Sequence, residues 1–200
     1  MKLHYSPGTI SIAVAIALEE TDTPYEAIRV DFASGAQQGE AYRAINPKGR
    51  VPALETPQGI ITETGAVLEY AAPALVPDDA YQAARMREAM YYLASTMHVA
   101  HAHKMRGHRW ADEQSSFDDM KAKVPQNMAD CCAYLEDQYP FDPCVLGDDF
   151  TLADAYMTVV LGWLEGDGVD ITIYPKLAAY LIRMRTRPSV LAVMAKGMLS

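Results

Sequence analysis

Cysteine is scarce in this 200-residue chain: only Cys131, Cys132 and Cys144 occur, and none precedes them. Two are adjacent and no CxxC spacing is present, so they supply neither a disulfide framework nor a zinc knuckle. Free thiols of this kind suit a reducing cytosol. Basic residues are also in deficit, with 17 Lys and Arg against 26 Asp and Glu, for a formal net charge of -9. That balance argues against nucleic acid or an anionic membrane as the main partner. Long apolar runs are missing as well. The first apolar stretch is cut by Glu19-Glu20, no segment reaches membrane-spanning length, and Met1-Lys2 leads into a strand pattern with no secretory leader. No internal repeat or low-complexity tract is found. A soluble, cytoplasmic protein is expected.

What is present is enough apolar surface for one large core or two modest ones, at 50% hydrophobic residues. The opening "MKLHYSPGTISIAVAIALEE" reads as a strand to Tyr5, a break at Ser6-Pro7-Gly8, and a helix from Ile10 to Glu20, with Thr9 or Ser11 as its cap. A second strand follows the Pro24 break, then a short helix near Gly39 to Ile45. Val51–Glu55 and Ile60-Ile61 flank the turn Thr56-Pro57-Gln58-Gly59 as an antiparallel hairpin, and a helix runs on to Ala72. The order βαβαββα predicts an α/β domain with a mixed sheet over residues 1–76. Pro73, Pro77 and Asp78-Asp79 form a linker. Beyond it every periodic segment is helical: Ala83 to Arg106, Ser116 to Tyr139, Thr151 to Trp163, Lys176 to Arg185 and Val190 to Met198. The spacing predicts an all-helical bundle over 83–200.

"NPKGRVPALET" carries the most chemistry. Proline at 52 opens an interior strand where it cannot donate a ladder hydrogen bond. A cis Val51-Pro52 bond would turn the N–H and C=O of Val51 outward, where an extended peptide can pair with them. Glu63-Thr64 then precede a helix whose free N–H groups suit a carboxylate, while Glu63 suits an α-amino group. Together they make a site for the zwitterionic head of an amino acid.

"YSPGTIS", "NPKGRVPAL", "TETGAVLEYAA" and "FTLADAYM" occur in the order and spacing of the cytosolic glutathione transferases, and the chain resembles that family over essentially its whole length. The resemblance implies a thioredoxin-like N-terminal domain followed by an all-helical domain that lines the electrophile pocket. It also implies glutathione as co-substrate, a small electrophile as partner, and a homodimer. By it, Val51 and Pro52 meet the cysteinyl backbone of glutathione, and Glu63 and Thr64 hold its γ-glutamyl end. Thr151 and Asp154 match the family's structural capping box.

The bacterial beta class is the most similar, through "YLASTMHVAH", in which His98 matches a histidine near the sulfur. Those enzymes carry a cysteine where this chain has Ile10, so a cysteine-dependent thiol-disulfide role is not expected. Conjugation needs no enzyme cysteine, because glutathione brings its own thiol. Lowering that thiol's pKa by about two units takes about 2.7 kcal/mol. A hydroxyl and the positive end of the first helix can supply it. Ser11 is the first choice of hydroxyl, then Thr9, then Tyr5. Of the four histidines in "MHVAHAHKMRGHRW", His98 and His101 share a helix face, but a third ligand is missing and no metal is expected. Alternatives on the same fold are a non-catalytic glutathione-binding protein, or a glutathione-dependent peroxidase, ether-cleaving enzyme or isomerase.

Overall fold

The computed structural model describes residues 1–199. The chain divides into two compact units, 1–79 together with the chain from Arg185 onward, and 80–184. In the first unit the order is β1 (Lys2–Tyr5), α1 (Ser11–Glu20), β2 (Glu26–Arg29), α2 (Glu40–Ile45), β3 (Ala53–Thr56), β4 (Gly59–Thr62) and α3 (Thr64–Ala71), the βαβαββα order expected. The sheet runs β2-β1-β3-β4, with β1 parallel to β2 and the other neighbours antiparallel. The parallel pair needs a crossover, which α1 supplies. The hairpin closes between Thr56 and Gly59, where the Thr56 hydroxyl donates to the Gly59 carbonyl at 2.8 Å.

Helix α1 is buried at every position from Ser11 to Leu18, packed against β1, α3 and a last helix, α9 (Pro188–Ala195). The sequence reading carried the helical domain to the end of the chain, whereas α9 groups with the first unit. Its buried Val190 and Val193 supply the apolar contact. Arg187 adds a forked hydrogen bond to Glu20, at 2.8 and 2.5 Å, and the Ser189 hydroxyl donates to the same carboxylate at 2.6 Å.

Burial pushes the Glu20 carboxyl up, but the hydrogen bonds from Arg187 and Ser189 and the guanidinium charge outweigh it and leave the group below its ordinary value. A lowered folded-state pKa contributes stability above the unfolded value, near 4.3, and loses it as pH falls through the folded value. Glu20→Gln is therefore expected to cost about 1–2 kcal/mol at pH 7, with the deficit narrowing as pH approaches 4. Urea denaturation at several pH values checks this; a deficit independent of pH would assign the effect to packing alone.

The second unit holds α4 (Ala80–Tyr92), α5 (His98–Arg106), α6 (Gln114–Gln138), α7 (Leu152–Leu161) and α8 (Pro175–Arg185), the last ending at the unit boundary. The single helix expected from Ala83 to Arg106 is interrupted by a π-helical stretch, Leu93–Met97. The extra residue of such a stretch turns every later side chain by about 100° relative to an unbroken helix. Helix α7 is buried throughout and packs on α4. Among the described residues no helix is long and apolar enough to cross a membrane.

Candidate active site

Strand register gathers three of the expected segments at one end of the first unit's sheet. His4 pairs with Ala53, and Ala53 pairs with Thr62. The chain leaving β1 through Tyr5 and Ser6 therefore runs beside the chain entering β3 through Val51 and Pro52. By the same register, Glu63 and Thr64 emerge from β4 on the other side of Val51-Pro52.

The Val51-Pro52 bond is cis, as the sequence reading expected. Val51 is buried with Val30 and Tyr42, and Phe32 and Ile45 pack against that cluster. Among the described residues its backbone N–H and C=O have no hydrogen-bond partner. The preceding loop is held firmly instead. The Arg50 carbonyl accepts from the Tyr42 hydroxyl at 2.7 Å and from the Asn46 side-chain amide at 2.6 Å. Asn46 also closes the turn, accepting from Lys48 N–H through its side chain and from Gly49 N–H through its carbonyl. Gly49 has φ +61°, and a Cβ there would sit 2.8 Å from the Gln37 carbonyl, so only glycine fits. Sequence reasoning quoted the stretch from Asn46 without assigning that residue, and did not single out Tyr42. The asparagine two residues before a lysine-glycine pair was the available signal.

Glu63 stands at the N-cap of α3 with φ 71°, a left-handed conformation that is costly for a residue with a Cβ. Its side chain is 71% exposed and is ion-paired to Lys48, whose ammonium also donates to the Thr62 hydroxyl at 2.7 Å. Lysine 48 was not singled out, yet it ties the cis-proline loop to the start of α3. Thr64 opens that helix, where the first N–H groups have no intrahelical acceptor.

The hydroxyls of Thr9 and Ser11, at the start of α1, do not cap it. Ile10 is the N-cap residue, without a side-chain hydrogen bond, so the expectation of a Thr9 or Ser11 cap is corrected. Both hydroxyls turn back on Ser6 instead. Thr9 Oγ1 donates to the Ser6 carbonyl at 2.8 Å and lies 2.7 Å from Ser11 Oγ, which accepts from Ser6 N–H at 3.2 Å. Ser11 is fully buried, Thr9 is half-buried, and Tyr5 is 8% exposed at the end of β1. Ile10 itself is buried.

His98, the remaining expected residue, lies in the other unit as the first residue of α5, with its ring 5.0 Å from that of Trp163 and 6.4 Å from that of His101. Among the described residues no group of three or more His, Cys, Asp or Glu side chains is placed to hold a metal ion.

Comparison with known proteins gives the same outline. Residues 1–73 match the glutathione S-transferase N-terminal domain family and residues 105–183 its C-terminal domain family. The chain is 29% identical to glutathione S-transferase GstA of Escherichia coli O157:H7, over 99% of this chain and 100% of that protein. It is 30% identical to a maleylacetoacetate isomerase of Pseudomonas aeruginosa, over 88% and 87% of the two chains. The structure of a glutathione transferase homologue from Sulfitobacter, with bound glutathione, superposes with a TM-score of 0.97 at 58% identity, covering 99% of this chain and 98% of that one. A beta-class glutathione S-transferase from Sphingomonas chungbukensis gives 0.84 at 32% identity, covering 99% and 100%. With both domain families matched in order and relatives aligned over nearly their full lengths, the chain belongs to the glutathione transferase family.

Proposed function

We propose that this protein binds glutathione at the cis-proline end of the first unit's sheet and joins it, through its thiolate sulfur, to a small electrophile. The unpartnered backbone of Val51 carries the reading, since a buried N–H and C=O left open beside a tightly pinned loop suit an added peptide strand. In this reading Val51 and Pro52 meet the cysteinyl residue, Glu63 takes the α-ammonium, and Thr64 with the first turn of α3 takes the α-carboxylate. His98 is a candidate for the same ligand by family resemblance alone.

Thr9 is the hydroxyl that meets the sulfur. It is the half-buried member of the Thr9–Ser11 pair, while Ser11 is enclosed, with its hydroxyl 2.7 Å from Thr9 Oγ1 and 3.4 Å from the Ser6 carbonyl, to either of which it can donate. A thiolate draws the Thr9 hydrogen away from the Ser6 carbonyl, and the Ser11 hydroxyl polarises it further. Thr9→Val is expected to raise the bound thiol's pKa by about one unit, Ser11→Ala by less, and Tyr5→Phe not at all. The ultraviolet absorbance of the thiolate, titrated in each glutathione complex, checks this. A midpoint that moves only in Ser11→Ala or only in Tyr5→Phe transfers the role. Glutathione bound with an unlowered pKa supports a binding protein in place of an enzyme.

A second reading, glutathione-dependent isomerisation of an unsaturated acid, is favoured by the isomerase relative at 30% identity. We also propose a cytoplasmic location, which three buried cysteines outside any disulfide suit. A two-fold homodimer completes the proposal; a stable 22.0 kDa species in sedimentation at micromolar concentration would overturn it.

A further inference from the structure

The turn that carries Thr9 is held from outside by the residues that follow α9, and both partners lie in the first unit. Ser6, Pro7, Gly8 and Thr9 form that turn, closed by Thr9 N–H donating to the Ser6 carbonyl at a long 3.3 Å. Proline followed by glycine with φ +68° is the type II pattern. A type I turn joins the same ends with the central peptide rotated by about half a revolution, and it needs no positive φ. The Gly8 N–H belongs to that peptide. It donates to the Met198 carbonyl at 2.9 Å, a bond that the rotation would break.

The way α9 ends sets the direction of that carbonyl. Met198 N–H returns to the Val193 carbonyl at 3.1 Å and Gly197 N–H to the Met194 carbonyl at 2.9 Å, the two bonds of a Schellman motif. Gly197 takes the left-handed place in it, at φ +66°. The Met198 side chain is buried, so packing fixes the residue as well. Helix α9 is tied in turn to α1, by Arg187 and Ser189 on Glu20 and by Lys196 on Glu19.

We infer that Met198 is a positioning residue for the Thr9 hydroxyl, acting through the Gly8 N–H to keep the turn in one form when the thiolate arrives. This role rests on the reading of Thr9 given above and adds the group that steadies it. In the free protein the Thr9 hydroxyl braces its own turn by donating to the Ser6 carbonyl at 2.8 Å. A thiolate takes that hydrogen, and the brace goes with it. The Met198 bond then carries more of the turn than before. The contacts proposed for Val51, Glu63 and Thr64 do not pass through this turn, so thiol ionisation and glutathione affinity separate.

Thiolate absorbance of bound glutathione, titrated in wild type, Gly8→Val, Gly8→Asn, a chain ending at Gly197, Thr9→Val and the double variant Gly8→Val with Thr9→Val, tests this. Calorimetry gives the affinity for glutathione at a pH where the thiol is protonated. A Cβ at residue 8 meets no atom within 4 Å, so neither substitution there clashes. Asparagine accepts the left-handed conformation, whereas valine rejects it and drives the turn to type I. Gly8→Val and the shortened chain are expected to raise the bound thiol's pKa by about half a unit, about threefold in the thiol-to-thiolate ratio, with affinity retained. Gly8→Asn is expected to match wild type. In the Thr9→Val background Gly8→Val is expected to add nothing, because it acts through the hydroxyl already removed, whereas a merely structural change adds its effect in full. If the shortened chain does not fold, the Gly8 variants decide. A midpoint that Thr9→Val moves but Gly8→Val does not overturns this inference only. Full additivity in the double variant, or a Gly8→Asn shift as large as that of valine, has the same consequence. A midpoint that Thr9→Val leaves in place overturns it together with the reading of Thr9.

Discussion

Asp154→Ala is expected to destabilise the second unit by about 3–5 kcal/mol, the largest effect of any single substitution considered. The carboxylate is completely buried at the start of α7. It accepts from the N–H of Val145 and of Thr151, both at 2.8 Å, from the Thr151 hydroxyl at 3.0 Å and from the Tyr180 hydroxyl at 3.1 Å. Alanine leaves two buried backbone N–H groups without an acceptor, each worth about 1–3 kcal/mol. Tyr180 loses less, because its hydroxyl also reaches the Asp154 carbonyl at 3.2 Å. One term acts the other way: burial pushes the Asp154 carboxyl up against the four hydrogen bonds, so removing it also removes a desolvation cost. The sum therefore falls short of full additivity. Asp154→Asn keeps one acceptor oxygen and is expected to cost about half as much. Urea denaturation of both variants decides the matter, and a loss below about 1 kcal/mol for alanine would mean that water or a rearranged loop replaces the carboxylate.

That capping residue was legible because a helix start is a local event: Thr151 and Asp154 are three residues apart and their partners include each other. The cis-proline loop was legible for a related reason, since a proline opening an interior strand leaves few backbone solutions. The same local logic failed at α1. Thr9 and Ser11 are ordinary capping residues, but Ser6 offers them a carbonyl and an N–H, and the helix starts from Ile10 without side-chain help. Non-local features stayed hidden. The grouping of α9 with the first unit depends on Glu20 meeting Arg187 and Ser189 across the length of the chain. The 2.6 Å hydrogen bond between His101 and Asp167 depends on a π-helical stretch that apolar periodicity does not announce, because the extra residue displaces the pattern without erasing it. Asn46 and Lys48 lay inside a quoted motif, yet only the folded loop gives the one its carbonyl and the other its carboxylate.

Glu63→Gln is expected to weaken glutathione by about 2 kcal/mol, roughly thirtyfold in Kd, without lowering the stability of the free protein. The charged hydrogen bond to an α-ammonium sets the scale of about 1.5–3 kcal/mol. The lower half of that range applies, because Glu63 is 71% exposed and already shares its charge with Lys48, which the ligand must displace or accommodate. Stability stays level because glutamine occupies the same left-handed conformation at the N-cap of α3 at the same cost, and the ion pair it removes is an exposed one. Lys48→Met separates the two charges. It frees Glu63 from competition while leaving the carboxylate in place, so affinity is expected to rise slightly, and the two substitutions are expected to move Kd in different directions. Salt sharpens the contrast, since an exposed charged contact weakens as ionic strength rises and the glutamine variant has less of it to lose. Calorimetric titration of glutathione into the three proteins at two salt concentrations makes the comparison. A Kd for Glu63→Gln within twofold of wild type would remove Glu63 from the site and leave the strained backbone at this position without a ligand to account for it.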